Sequence, residues 1–156
     1  MAKEIERKFL MDLNHWSKDE KGLLYQQGYL AITEKGIVRV RVKADKSTLT
    51  IKSKGTGLSR DEFEYEIPLD EAKQLLNLCQ NDIILKTRYK VIFNNKLWEV
   101  DEFHGKNKGL WLAEIELKTE DEKFELPNWV KREVTGEENY YNAFLSMHPF
   151  LSWKNE

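Results

Sequence analysis

The chain has 156 residues, 40% of them hydrophobic and 33% charged, with a formal net charge of −2. That length suits a single domain spanning residues 1–156 with apolar residues enough for one core. The near-cancelling charge excludes the global basic field that drives nucleic-acid binding, so charge must act through local arrangement. No apolar run approaches the ~18 residues of a membrane span, and the charged start at Lys3, Glu4, Glu6, Arg7 and Lys8 speaks against a cleavable signal. The lone cysteine, Cys79, has no partner for a disulfide within the chain and reads as a small buried hydrophobe, which suits a reducing cytoplasm.

Strand signals dominate the chain. Met1 to Met11 alternates, with Glu4, Glu6 and Lys8 on one face and Ile5, Arg7 and Phe9 on the other. Asp12 is placed to cap a short helix carrying Trp16. Leu23 to Thr33 reads as a strand in which Gly28 marks a bulge or bend. After the turn Glu34-Lys35-Gly36, Val38, Val40 and Val42 alternate with Arg39, Arg41 and Lys43. Asp45-Lys46-Ser47 turns the chain into Thr48 to Lys54, where Thr50 and Lys52 oppose Leu49 and Ile51.

A loop at Gly55-Thr56-Gly57 leads into Arg60 to Leu69, with Arg60, Glu62, Glu64 and Glu66 opposite Phe63, Tyr65 and Ile67. Asp70 is read as the cap of a helix over Glu71 to Gln80, its apolar side holding Ala72, Leu75, Leu76 and Cys79. Ile83 to Phe93 presents Lys86, Arg88 and Lys90 on one face, Asn94-Asn95 makes a hairpin turn, and Lys96 to Phe103 returns with Glu99 and Asp101. Leu110 to Thr119 carries Glu114 and Glu116, Tyr140 to His148 reads as a helix, and an aromatic tail holds Phe150 and Trp153. The pattern predicts a mainly β, α+β domain of about eight strands in neighbouring hairpins, curled toward an antiparallel barrel with peripheral helices.

Charge on any single strand needs no explanation beyond a solvated face. Across strands the signs separate: Arg39, Arg41, Lys52, Lys54, Arg60, Lys86 and Arg88 form a basic set, and Glu4, Glu6, Glu99, Asp101, Glu114 and Glu116 an acidic one. Lys8, Glu62 and Glu64 fall between them. If the charged face closes inward, the helices with Trp98, Trp111 and Trp129 must supply the core from outside. Each ion in such a cavity loses hydration, which a polyanion on the basic side and a cation on the acidic side would offset. Arginine's fork suits phosphate, and an all-oxygen acidic set suits Mg²⁺ or Mn²⁺. Carboxylates at i and i+2 face the same way, so Glu4/Glu6 and Glu114/Glu116 are able to share a metal. His15, His104 and His148 lack ligand spacing, and no P-loop motif is present.

These residues resemble the CYTH superfamily, the triphosphate tunnel metalloenzymes. Glu4-Ile5-Glu6-Arg7-Lys8 resembles its N-terminal ExExK signature, followed in order by Gly28-Tyr29-Leu30, Arg39-x-Arg41, Thr50-x-Lys52, Ser59-Arg60 with Glu62 and Glu64, Lys86-Thr87-Arg88-Tyr89, Glu99 with Asp101, Glu114-x-Glu116, and Val134-Thr135 with Tyr140 and Asn142. The resemblance covers almost the whole chain. It implies a closed eight-stranded antiparallel β tunnel that holds a triphosphate lengthwise with one or two divalent metals. It assigns Lys8, Arg39, Arg41, Lys52, Lys54, Arg60, Lys86 and Arg88 to the triphosphate, and Glu4, Glu6, Glu99, Asp101, Glu114 and Glu116 to metal. Lys8, Glu62, Glu64 and Lys86 are the expected catalytic groups, Glu62 and Glu64 by orienting water or holding a second metal. The expected reaction is metal-dependent hydrolysis of inorganic tripolyphosphate to pyrophosphate and phosphate. The alternatives are a class IV adenylyl cyclase, a thiamine triphosphatase and a non-catalytic polyphosphate-binding module. A small-molecule triphosphate is the expected partner, with neither nucleic acid nor membrane. Trp111, Trp129 and Trp153 are assigned to covering the barrel, a homodimer contact being their other use.

Overall fold

Two-residue alternation gives every strand two unlike faces, and closure of the sheet decides which face is interior. The computed structural model describes residues 2–17, 21–55 and 58–153. Its strands are β1 (Ala2–Met11), β2 (Leu23–Ile32), β3 (Gly36–Lys43), β4 (Lys46–Ser53), β5 (Ser59–Glu66), β6 (Ile84–Phe93), β7 (Lys96–Phe103), β8 (Trp111–Glu116) and β9 (Val130–Glu133). Antiparallel neighbours run β5-β4-β3-β2-β6-β7-β8-β1, and β1 pairs back onto β5, closing an eight-stranded barrel. On that closing edge, β5 pairs the start of β1 (Ala2↔Glu62 to Ile5↔Ser59) and β9 pairs its end (Phe9↔Glu133, Met11↔Val130). β9 is a strand that the alternation did not announce, being only four residues long.

The barrel is built with its main apolar layer outside. Phe9, Trp98, Val100, Ala113 and Ile115 point outward from β1, β7 and β8, and Trp16, Phe124 and Trp129 from the flanking loops cover them. Trp98 is at the centre, with ring centroids 5.6 Å from Phe9, 5.9 Å from Phe124 and 5.7 Å from Trp129. Helix α1 (Leu69–Leu76) covers Val40 and Val42 of β3 with Ala72, Leu75 and Leu76. At one end of the barrel the inward rows themselves turn apolar: Leu10, Tyr29, Ile37, Ile84, Phe103 and Leu112 continue the rows of Lys8, Gln27, Arg39, Lys86, Asp101 and Glu114. They pack against Leu145 of helix α2 (Asn142–Met147) and against Tyr140, Phe150 and Trp153. Trp111 and Trp129 pack with the outer layer and Trp153 with this end group, so the chain itself uses all three.

Several local expectations are corrected. α1 spans Leu69–Leu76 rather than 71–80, Pro68 occupies its N-cap without a side-chain bond, and Asp70 lies in its first turn. Cys79 therefore follows the helix and is only partly buried. Its Sγ lies 2.7 Å from where a Cβ on Gly28 would stand, so Gly28 serves close packing, while the register shift falls between Tyr29 and Ala31. Asp12 does cap, its carboxylate accepting from Asn14 N at 3.1 Å, but the element is a 3-10 turn over Leu13–His15. β4 ends at Ser53, leaving Lys54 beyond the strand, and β8 is shorter than 110–119. The expected helix over 140–148 divides into a 3-10 turn at Glu138–Tyr140 and α2. Asn94 and Asn95 both take positive φ (49° and 64°), as a primed hairpin turn requires. Thr56 and Gly57 of the expected loop lie outside the described residues.

Trp98 tests the outside-core arrangement. Trp98→Ala should destabilise the protein by about 3–5 kcal/mol, read as a lowered urea midpoint. A loss below about 1 kcal/mol, the range of surface substitutions, would contradict a core at that position.

Candidate active site

The closed barrel holds a cavity of about 370 Å³, within the range of small-ligand sites. Of the residues expected to act, Glu4, Glu6, Lys8, Arg39, Arg41, Lys52, Lys54, Arg60, Glu62, Glu64, Lys86, Arg88, Glu99, Glu114 and Glu116 all line it. Asp101 does not line it. Strand β7 carries Asp101 beneath the cations, where its two oxygens take Arg88 Nε at 2.7 Å, Arg88 Nη2 at 2.8 Å and Lys86 Nζ at 2.7 Å. Lys54 reaches the cavity from past the end of β4 and is exposed.

The two signs interleave rather than stay apart. Lys8 Nζ lies 3.3 Å from Glu114, Lys52 Nζ donates to Glu4 at 2.8 and 3.0 Å, and Arg88 also reaches Glu114 at 3.1 Å and Glu99 at 3.2 Å. Arg39 donates to Thr50 Oγ1 at 3.3 Å, and Thr50 in turn donates to Glu64 at 3.1 Å. Such pairing lets desolvated ions coexist, because each partner returns part of the hydration lost by the other. Burial alone would raise the Glu114 and Asp101 carboxyls. Lys8 and Arg88 overcome it at Glu114, and Arg88 and Lys86 at Asp101, holding both below the ordinary range.

Other groups are left out of balance. Burial, with Glu114 and Glu4 alongside, pushes the Glu6 carboxyl up to about 8. Burial, then Glu4, Glu62 and Glu99, also raises Glu116. Glu6 and Glu116 face each other across β1 and β8 in direct register, an unfavourable placement for like charges. Neither makes a hydrogen bond or ion pair among the described residues. Lys86 is buried at 1% exposure. Burial, with Arg88 and Arg41 nearby, brings its ammonium down to about 7 despite Asp101, whose charge is shared with Arg88.

The CYTH domain family matches residues 2–143. The chain is 48% identical to the inorganic triphosphatase of Acetivibrio thermocellus, over 99% of each chain. It is 34% identical to the inorganic triphosphatase of Nitrosomonas europaea, covering 92% of this chain and 97% of that one. The crystal structure of the inorganic triphosphatase NE1496 superposes with a TM-score of 0.68 at 31% identity, over 94% of this chain and 96% of that one.

The chain belongs to the CYTH family. Its barrel brings together every family-type charge expected from the sequence except Asp101, which supports Arg88 and Lys86 from behind. The cavity is also lined by residues that charge alone did not reveal, Tyr25, Tyr141 and Asn142. Tyr25 lies beneath Arg41 (4.9 Å), Arg88 (5.1 Å) and Lys43 (5.6 Å), and cation–π contacts of this kind gather cations without neutralising them. Tyr141 lies under both Arg60 (5.1 Å) and Lys8 (5.4 Å). Asn142 opens α2 and accepts from Lys86 at 3.2 Å. Parity held the signal: Tyr25 and Gln27 share the inward row of β2 with Tyr29.

The acidic side fits a hard divalent cation. Its donors are carboxylate oxygens only, and Glu6 and Glu116 oppose each other with no ion-pair partner among the described residues. No three acidic, histidine or cysteine groups already converge at ligating distance among the described residues. Glu4 and Glu114 instead turn to Lys52, Lys8 and Arg88.

Glu6 predicts a pH dependence of stability. Its folded pKa of about 8 exceeds the ordinary 4.5, so the folded state holds the extra proton and this contribution is lost as pH rises from 4.5 toward 8. In buffer containing a chelator, Glu6→Gln should therefore gain stability over the parent with increasing pH across that window. Urea midpoints at pH 5 and pH 8 measure it, and a difference that does not grow with pH would refute the assignment.

Proposed function

We propose that this CYTH protein is a cytoplasmic inorganic triphosphatase that hydrolyses tripolyphosphate to pyrophosphate and phosphate with Mg²⁺ or Mn²⁺. One observation carries the reading: one barrel interior offers both an arginine-rich wall and the facing carboxylates Glu6 and Glu116, which make no ion pair among the described residues. A phosphate-binding module would have use for the first alone. The relatives at 48% and 34% identity are both inorganic triphosphatases and match over nearly their full lengths. The lone cysteine suits a reducing compartment, and no helix of the described residues is long and apolar enough to cross a membrane.

In this reading Arg39, Arg41, Lys52, Arg60 and Arg88 grip phosphate oxygens and offset charge that develops as the phosphoanhydride breaks. Lys54 extends the same basic surface at the mouth. Glu4, Glu6, Glu114 and Glu116 hold a divalent cation, with Glu99 beside them, and when bound it neutralises phosphate charge as a Lewis acid. Glu62 and Glu64 orient the attacking water. Lys86 Nζ, with its pKa lowered to about 7, is able to hold or give up a proton near neutral pH. Lys8 contacts phosphate and restrains Glu114. Asp101 fixes the direction of Arg88 through a bidentate pair.

A second reading, an organic triphosphate such as ATP or thiamine triphosphate, draws on the apolar residues Ile32, Ile37, Phe144 and Met147 at the α2 side of the cavity. A panel of tripolyphosphate, ATP and thiamine triphosphate with Mg²⁺ or Mn²⁺ separates the readings. Fastest phosphate release from tripolyphosphate is expected, while cyclic AMP from ATP would replace the proposal with a cyclase. Glu116→Ala and Arg41→Ala should each lower turnover of tripolyphosphate by about 100-fold with circular dichroism unchanged. Arg41→Lys, which keeps charge but loses the fork, should also be impaired. Folded variants with parental activity would contradict the site.

A further inference from the structure

The cations of the cavity are not equally committed. Lys8, Lys52, Lys86 and Arg88 each have a carboxylate within 3.3 Å. Arg41 makes no ion pair among the described residues, although it stands beside Arg39 and Arg88 on the same wall. Its one hydrogen bond among those residues runs from Nε to the side-chain carbonyl of Gln27, at 2.8 Å. Gln27 is fully buried, so its amide must be satisfied within the protein. Nε2 donates to Asn142 Oδ1 at 3.2 Å and lies 3.4 Å from the Tyr29 hydroxyl. The same Asn142 oxygen takes Lys86 at 3.2 Å. A continuous neutral bridge thus runs from Arg41 on β3 through β2 and the start of α2 to Lys86 on β6.

We infer that Gln27 is a positioning residue for the triphosphatase reaction, a neutral acceptor that aims Arg41 while leaving its charge for the substrate. A carboxylate at this place would hold the guanidinium more strongly but would neutralise it and compete with the phosphate. An apolar residue would leave Nε unsatisfied in a buried setting and the fork free to turn. Tyr25 completes the seat, its ring 4.9 Å from the Arg41 guanidinium. The anchored Nε leaves the two Nη groups, which make no other hydrogen bond among the described residues, available for a bidentate grip on phosphate. The inference rests on the tripolyphosphatase reading and deepens it by separating Arg41, which like Arg60 has no carboxylate partner among the described residues, from the cations already balanced by carboxylates.

The test is steady-state kinetics on tripolyphosphate with Mg²⁺, with folding followed by thermal melting. Gln27→Met should raise KM roughly tenfold, the scale of one charged hydrogen bond, with kcat changed less. In an Arg41→Gln background the same substitution should add nothing, because Gln27 acts through Arg41. Gln27→Glu keeps size and an acceptor, and it should raise KM by roughly tenfold or more. It carries the test if Gln27→Met does not fold. A parental KM in the folded variants, or a Gln27→Met effect that persists undiminished without Arg41, would overturn the inference. A parent protein without tripolyphosphatase activity would instead remove the functional reading beneath it, so the two failures are distinguishable.

Discussion

Closure of β1 against β5 is the constraint on which the rest of the molecule depends. Once Glu4 stands opposite Arg60 and Ala2 opposite Glu62, the charged rows of the barrel face a shared interior, where Lys8, Arg39, Lys86, Arg88, Asp101 and Glu114 are buried while Glu64 and Glu116 keep contact with water. Most small barrels fill that interior with apolar side chains. Here the apolar layer moves outside, where Trp98, Phe9 and Ile115 pack beneath Trp129 and Phe124, and α1 covers β3. The inner rows turn apolar only where α2 and the C-terminal aromatics close one end.

Dehydrated charges in so small a space must be balanced nearly one for one. Arg88 and Asp101 form the centre of that balance, with Lys86, Glu99 and Glu114 attached to it. Arg88, Asp101 and Glu114 each have more than one charged partner, which sets the direction of the Arg88 and Lys86 side chains. What the protein does not balance is as informative as what it does. Among the described residues Glu6 and Glu116 make no ion pair and Arg41 makes none, and all three line the cavity. A metal triphosphate carries both missing charges. The site is therefore organised by an internal framework of satisfied ion pairs and by a few groups held in place by neutral neighbours.

Much of this is legible in the sequence. Alternation grouped the charged residues of β1, β3, β6 and β8 on one face, because a one-residue error would have mixed Val40, Val42, Phe9 or Ile115 into the charged row. Helix limits were less legible: the apolar spacing around Leu75 and Cys79 suited a longer helix than Leu69–Leu76, and Pro68 took the place expected for Asp70. The four-residue β9 was too short to show a period. Asp101 and Glu99 looked equivalent on β7, since both face inward. Only the depth of Asp101, at 2% exposure beneath Arg88, separates a support from a cavity-lining carboxylate. Gln27 is not legible in the sequence for a related reason: a neutral side chain gives no charge signal, and its place in the site depends on which arginine it meets.

By itself the sequence determined the two-faced strands, the charges that share a face and the family to which they belong, because side-chain direction in a strand alternates with position. Tertiary structure decided which charges balance one another and which stay open. That outcome depends on cross-strand register and on the depth of each side chain in the barrel, and these arise only when strands distant in the chain, such as β1 and β5, are brought together.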